Sequence, residues 1–504
     1  MSPAAGSDAG ERLFGTDGIR GRFGEPPLDR ATVTALAGQL AALLAERRPA
    51  GGAPVEVVLG GDTRESTAEI CGWLAAGLAR GGAAVRYAGV VPTPGVAFLA
   101  AELGADAGVV VSASHNPYPD NGIKLFDAQG FKWSEAAEKE LEDRLRTTAG
   151  ADSSGPSAGA QGDHGAGPAR PAASSLAAQP ARGVVAEATA RPPVETELRE
   201  RYLRRLAATV EPAPSAAGGS REPPLAGLRV VLDTGHGAAS AYAGELFGRL
   251  GAEVNLLCAT PDGRNVNQGC GSTAPAGTAV AVVAAGAHLG AAFDGDADRC
   301  ILADERGEVR DGDAILYLWA TRLLEEGRLV PPAIVATSMS NLGLERALAR
   351  HGIAVVRCGV GDRLVVETMR RDGILLGGEQ SGHVVRLDLA PTGDGLLTAV
   401  QMAALVQRAG RPLSELLAGF RRYPQTLVNI RVARKPDLAS LPRVAAAARE
   451  VEELLGADGR LVLRYSGTEP LARVMIEGPD QETIETLAGH LAAIIGDELG
   501  QPAG

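Results

Sequence analysis

Aromatic residues are scarce in this chain: they make up 4% of its 504 residues, although 45% are hydrophobic. Its cores are therefore expected to be built from Ala, Val, Leu and Ile. The five cysteines, Cys71, Cys258, Cys270, Cys300 and Cys358, are odd in number and scattered, without C-x-x-C spacing. That pattern fits a reducing compartment and offers no zinc site. No apolar run is long enough to span a bilayer. The opening MSPAAGSDAG has neither the basic stretch nor the apolar stretch of a signal peptide, so a cytoplasmic protein is expected, without a membrane partner. Basic charge is in deficit too. A net charge of −12 argues against nonspecific nucleic-acid binding, which depends on clustered cations. It leaves room for an anionic small substrate, because a few Arg and Lys focused in a cleft outweigh a distant acidic surface.

What is present is alternation. Strand-like VEVVLGGDT, AAVRYAGV and AGVVVSA surround the helical stretch STAEICGWLAAGLARGG, the pattern of an α/β domain. After the charged helix ETELRERYLRRLAATV, a second unit follows with LRVVLDT, EVNLLCA and LGAAFDGDADRCILAD. A third has the helix DAILYLWATRLLEEGRL and strands AIVATSM, IAVVRCG and ILLGGE. A smaller tail from Tyr423 has TLVNIRVA, a helix near 441–455, GRLVLRYSGTEPLARVMIEG and a final helix. Two stretches interrupt the alternation, 147–193 and 211–227, rich in Ala, Gly, Ser and Pro. Such composition buries too little apolar surface to offset its ordering entropy, so both read as solvated insertions, the first disordered.

Polar motifs cluster at strand ends. In GVVVSASHNPYPDNGIKLF, an apolar run ends in Ser112, Ser114, His115 and Asn116, stiffened by Pro117, and a turn with a lone lysine follows at Asn121–Lys124. In FDGDADR, Asp294, Asp296 and Asp298 alternate with small residues, so an extended chain would face all three carboxylates one way. Three hard oxygens suit Mg²⁺. A calcium loop is the alternative, but its sixth position holds Arg299 where Gly is required, and the segment runs on into the strand CILAD. GGEQSGH places Glu379, Ser381 and His383 on alternate positions, one polar face able to hold sugar hydroxyls. In RYSGTEP, Arg464 can grip a phosphate bidentately, Ser466 and Thr468 offer hydroxyls, and Gly467 admits backbone N–H groups. Arg20 stands out in RLFGTDGIRG, which lacks the dinucleotide spacing. LDTGHGAAS reads as a structural strand-to-helix turn, with a ligand role for His236 as the alternative reading.

Taken together, FGTDGIRG, SASHNPYPDNGIKLF, FDGDADR, GEQSGH and RYSGTEP, with PDGRNVNQGCGST, VGDRLV, PTGDGLLTA and YPQTLVNIRV, span Arg12 to about Gly496 outside the insertions. The chain resembles the α-D-phosphohexomutase superfamily, and within it the bacterial phosphoglucosamine mutases. The resemblance implies an α/β fold of four domains around a central cleft: three related α/β domains at 11–194, 195–309 and 310–422, and a smaller phosphate-binding domain at 423–504. It implies that Ser114 is the phosphoryl carrier, with one Mg²⁺ bridging its phosphate to Asp294, Asp296 and Asp298. Lys124, as general base, Arg20 and His115 would serve the transferring group. Glu379 and Ser381 would orient the sugar, with His383 close by, while Arg464, Ser466, Gly467 and Thr468 hold the other phosphate and Arg299 adds an anion contact.

The implied reaction interconverts glucosamine 6-phosphate and glucosamine 1-phosphate through a 1,6-bisphosphate, which also serves as activator, and supplies UDP-N-acetylglucosamine for cell-wall precursors. A phosphoglucomutase or phosphomannomutase, or a non-catalytic phosphosugar-binding regulator, are the other readings. His236 stands where such proteins commonly carry Asn.

Overall fold

A computed structural model describes residues 12–49, 51–152, 192–210, 222–466 and 470–500. Most of the 147–193 stretch and the 211–221 part of the second stretch lie outside these residues, as do Gly467 and Thr468. The close of the second stretch is not solvated: Leu225 is fully buried and its N–H donates to the Leu250 carbonyl at 2.8 Å. The chain forms two compact units, one reaching Tyr202 and including Asp262–Val266, the other made of Leu203–Pro261 and Asn267 onward.

The first unit is built on a five-stranded sheet. Its strands are β1 (Ile19–Arg22), β2 (Glu56–Gly61), β3 (Ala84–Val90), β4 (Ala107–Val111) and β5 (Asp120–Asp127), in the order β1-β5-β4-β2-β3. β2 runs parallel to β3 and β4, whereas β5 is antiparallel to β4 and β1. Every residue of β4 is buried, as expected for a strand covered on both faces. The helix Arg30–Glu46 starts where Asp29 accepts the Thr32 N–H at 3.0 Å. Its Val33, Leu36, Leu40 and Leu43 recur at helical spacing and pack with Leu74 and Leu78 of the next helix, Val57 and Val109. The expected turn at Asn121–Lys124 is instead the interior of β5. Its sequence looked like a turn because Asn-Gly is a common turn pair, but sheet pairing on both sides outweighs that local preference.

The second unit repeats the plan. β6 (Arg229–Asp233), β7 (Glu253–Leu257), β8 (Leu289–Phe293), β9 (Cys300–Asp304) and β10 (Val309–Arg310) take the order β10-β9-β8-β6-β7. β11 (Ala333–Thr337), β12 (Ala354–Cys358), β13 (Leu376–Gly378) and β14 (Val384–Arg386) take the order β12-β11-β13-β14. All three sheets share one core: three parallel strands, the last of which folds back into an antiparallel partner.

The last sheet is antiparallel, β15 (Gln425–Arg431), β16 (Arg460–Tyr465) and β17 (Leu471–Glu477) in the order β15-β17-β16. The helices Pro442–Leu455 and Gln481–Leu499 cover one face, burying Val474, Ile476, Val451 and Leu491. Buried Glu477 ties this sheet to the preceding domain, accepting from Asn341 Nδ2 at 3.0 Å and Arg460 Nε at 2.8 Å. Among the described residues no helix is long and apolar enough to cross a membrane.

Candidate active site

Each fold-back point carries one polar motif. The turn after β4 carries Ser114, the turn after β8 the three aspartates, and the turn after β13 Glu379 and Ser381. These turns lie at the carboxyl ends of parallel strands, where α/β sheets place their ligands.

Ser114 is 1% exposed and adopts a left-handed backbone, φ 52°, which costs a non-glycine residue about 1–2 kcal/mol. The turn is held from below. Ser112 Oγ donates to Asp62 Oδ2 at 2.7 Å and accepts the Ser114 N–H at 2.9 Å. The Arg64 side chain, fully buried, pairs with Asp62 at 2.8 Å. Its guanidinium donates to four carbonyls of one loop: Ser114 at 2.9 Å, Asn116 at 2.7 Å, Pro117 at 2.5 Å and Asp120 at 2.9 Å. A planar five-donor fork can do this; a lysine cannot.

A group of cations flanks the same loop. Arg20, on β1, donates to the Ser112 carbonyl and to Asp17. Asp17 is also 3.3 Å from Lys124 Nζ and paired with Lys132. Lys124 lies on β5 and is 1% exposed. β1 can approach β5 here because Gly122 is opposite Arg20: a Cβ on Gly122 would lie 2.6 Å from the Ile19 carbonyl and 2.7 Å from that of Ser112.

The aspartates occur in a turn, and the extended conformation expected for them is not found. Ala297 sits at φ 55° and its N–H donates to the Asp294 carbonyl at 3.1 Å. Consecutive carboxylates on an extended chain would be about 7 Å apart. In the turn, one oxygen of each lies within 4.8 Å of the others, and all three residues are buried. Arg299 Nε stands 4.0 Å from both Asp294 and Asp298. Burial opposes its charge most strongly, yet Asp294, Asp298, Glu379 and Asp296 together outweigh burial and raise its pKa.

The turn after β13 is sewn to the aspartate turn. Cys300 N–H donates to the Gly382 carbonyl at 3.0 Å, and Gly395 N–H to that of Ala297 at 3.0 Å. Glu379, Ser381 and His383 do not share a face, because they occupy the turn itself and not a strand. Ser381 is exposed, Glu379 half-buried with Oε1 accepting the Gly361 N–H at 3.1 Å, and His383 buried. His383 Nε2 accepts the Gly393 N–H at 3.1 Å, which assigns the neutral ring's proton to Nδ1, 3.8 Å from Asp298 Oδ1. In the last domain, Arg464 is exposed at the end of β16, and buried Ser466 accepts Lys435 Nζ at its carbonyl at 2.7 Å.

Four family models match in chain order: the phosphoglucomutase/phosphomannomutase domains I, II and III, all alpha/beta/alpha, at residues 11–151, 200–307 and 311–423, and the C-terminal domain at 427–494. The chain belongs to the phosphoglucomutase/phosphomannomutase family. Among its relatives, the phosphoglucosamine mutase of Solibacter usitatus is 44% identical over 97% of this chain and 99% of that protein. A solved phosphoglucomutase/phosphomannomutase family protein from Burkholderia thailandensis superposes with a TM-score of 0.72 at 22% identity, covering 96% of this chain and 97% of the other. The Aspergillus fumigatus N-acetylphosphoglucosamine mutase, solved with GlcNAc-6P and magnesium, gives 0.58 at 17%, covering 96% and 95%. The family's four domains are those of the four sheets.

Within each unit the expected residues gather in part. Ser114 and Arg20 are joined through Ser112, and Lys124 through Asp17; Asp294, Asp296, Asp298, Arg299, His383 and Glu379 form a second group. His115 is exposed beside Ser114, and Arg464 and Ser466 stand at the end of β16 on the last sheet. Arg64, Asp62, Asp17 and Lys132 were not singled out in the sequence. For Arg64 and Asp62 the available signal was a charged pair directly after the buried strand β2.

Proposed function

We propose that this protein is an isomerase that interconverts glucosamine 6-phosphate and glucosamine 1-phosphate by way of a phosphorylated Ser114. The observation that carries this reading is the gathering of three buried carboxylates within 4.8 Å at the end of β8, in a chain alike over its full length to phosphoglucosamine mutases. Three hard oxygen donors fit Mg²⁺, which Asp294, Asp296 and Asp298 would hold. Bound there, the ion would supply neutralisation of phosphoryl charge.

The steps rest on the chain's own groups. Phospho-Ser114 gives its phosphoryl group to the free hydroxyl of a sugar monophosphate: the Oγ–P bond breaks and an O–P bond to the sugar forms. Lys124 takes the hydroxyl proton and the departing Ser114 oxygen takes one from solvent, so that one proton is exchanged for another, and a 1,6-bisphosphate results. Returning the other phosphate to Ser114 completes the isomerisation. Arg20 stabilises the transferring group and fixes the turn through Ser112, with His115 adjoining it. Such catalysis is chiefly positioning and charge neutralisation. Glu379 and Ser381 orient the sugar, Arg464, Ser466, Gly467 and Thr468 hold its second phosphate, and Arg299 contributes a further anion contact. A 1,6-bisphosphate is the expected activator.

The test is a comparison of kcat/KM for glucosamine 1-phosphate, glucose 1-phosphate and mannose 1-phosphate, each with its matching bisphosphate. Glucosamine phosphate should lead by at least about tenfold, or roughly 1.4 kcal/mol in the transition state. Equal or reversed values would assign the protein to the hexose mutases and leave the phosphoserine mechanism standing.

A further inference from the structure

Three side chains with no part in that chemistry converge beside the aspartate turn. His236 follows β6, Cys258 follows β7, and Cys270 lies in the loop between β7 and the helix Ala276–Ala285. One ligating atom from each, an imidazole nitrogen and two sulfurs, lies within 4.8 Å of the others. Their wide separation along the chain hides the grouping from any motif.

The scaffold around them is already organised. Asp233, buried at the end of β6, accepts the Gly235 N–H at 2.9 Å with one oxygen. With the other it accepts the Gly271 N–H at 2.9 Å and the Thr278 hydroxyl at 3.1 Å. One carboxylate thus binds the turn bearing His236 to the loop bearing Cys270. The Cys258 carbonyl accepts both the His236 N–H and the Thr234 hydroxyl, each at 2.7 Å, which fixes the third segment to the first. His236 and Cys258 are both held in left-handed backbone, φ 51° and 48°, a conformation costing a non-glycine residue about 1–2 kcal/mol.

We propose that His236, Cys258 and Cys270 form a binding site for a soft, zinc-class divalent cation, separate from the Mg²⁺-type aspartate turn. Two sulfurs and one imidazole, with water in the fourth position, make a tetrahedral set that selects Zn²⁺ over Mg²⁺. The all-oxygen aspartate turn has the opposite preference, so the two sites sort their ions by donor type. On binding, both thiols release their protons to solvent, two metal–sulfur bonds form, and His236 donates a neutral nitrogen lone pair. The site is mechanically joined to the aspartates: the Ala238 N–H, two residues after His236, donates to the Gly295 carbonyl at 2.8 Å.

The experiment titrates the reduced full-length protein with Co²⁺ at saturating Mg²⁺. A sulfur-to-cobalt charge-transfer band should rise to one equivalent, with the intense visible absorption of tetrahedral cobalt, and Zn²⁺ should erase it. The Cys258→Ser/Cys270→Ser double variant should lose the band. His236→Asn, which keeps both thiols and avoids the risk of misfolding a double core variant, should weaken Co²⁺ affinity at least about tenfold. No band in the unmodified protein, a band that survives in the double variant, or unchanged affinity in His236→Asn would each overturn the site. So would a Co²⁺-silent reduced protein whose Cys258 and Cys270 are recovered as a disulfide after air exposure, which would make the pair a redox centre instead.

Discussion

The turn after β4 and the turn after β8 occupy the same place in sheets of the same topology, and each holds one non-glycine residue in left-handed backbone, Ser114 at φ 52° and Ala297 at φ 55°. On the proposed function, the strained residue of the first turn is itself the reacting one. In the second it is a spacer, and the proposed cation ligands flank it. The difference follows from what each turn must present. A phosphoryl carrier, the role proposed for Ser114, needs a single hydroxyl held in one direction, which an apex residue can present. A cation needs several oxygens about one point, so the apex must reverse the chain and bring Asp296 and Asp298 back towards Asp294. The third turn, after β13, places its positive φ on Gly382 (φ 95°) and carries no such strain.

Support differs as well. The Ser114 turn is held from within its own domain by Arg64 and Asp62. The aspartate turn is held from its own domain by the Ala238 N–H on the Gly295 carbonyl and also from the next domain, through Gly382, Gly395 and His383. Disturbing the turn after β13 should therefore reach the aspartates, while the Ser114 turn keeps its own support.

The sharpest break in this comparison comes from removing each turn's functional group. Ser114→Ala should abolish phosphate incorporation, read by intact mass, and lower kcat by roughly 10³-fold or more, with the fold retained. Asp296→Ala should leave the serine in place and lose Mg²⁺-dependent turnover. Full activity in the first or unchanged metal dependence in the second would dissolve the division of labour.

Next in size is Arg64→Lys. Charge is kept, but the fork that reaches four carbonyls is lost, so kcat should fall about 100-fold, as expected when a reacting group is displaced by about an ångström. Mg²⁺ affinity should hold, since the aspartate turn does not use Arg64. A parallel loss of Mg²⁺ affinity would show that the two turns are not supported separately.

How legible all this was in the sequence varies with the range of the interactions. β4, β6 and β11 could be read directly, because buried parallel strands are continuous apolar runs. β1 could not: Ile19–Arg22 carries two arginines in four residues and becomes a strand only by pairing with β5, about a hundred residues away. Lys124 reads as a loop residue until β1 and β4 enclose its strand. The three aspartates were recognisable by type and spacing, but the turn that gathers them was not, since Ala297 has no special preference for left-handed backbone. Arg64 and Lys132 take their roles from partners distant in the chain, and local pattern does not record such partners.

Gly382→Ala gives a smaller effect, on stability. A Cβ there would lie 2.4 Å from the Cys300 carbonyl, in backbone that disfavours side chains. A loss of about 2–3 kcal/mol is expected from strain and overpacking, read by denaturant unfolding. Mg²⁺ affinity should fall with it, because Cys300 N–H bonds to Gly382 across the two turns. Intact Mg²⁺ affinity in the folded variant would mean the aspartate turn holds its shape alone.

The smallest effect, and the finest test of the comparison, is Ala297→Gly. If Ala297 only reverses the chain, glycine relieves about 1–2 kcal/mol of left-handed strain and loses about 0.5–1 kcal/mol through greater freedom of the unfolded chain. The net change should lie between about zero and 1.5 kcal/mol of stabilisation, with kcat and Mg²⁺ affinity unchanged within about threefold. The matching change at the carrier turn, Ser114→Gly, should give a similar small stabilisation while removing all phosphate uptake. The two variants thus share one stability outcome and differ completely in function, if strain lies on the spacer in one turn and on the reacting residue in the other. A destabilised Ala297→Gly would mean instead that the alanine methyl, buried in its turn, contributes packing that outweighs its strain, and that the aspartate turn is held by its apex as firmly as the carrier turn is held by Arg64.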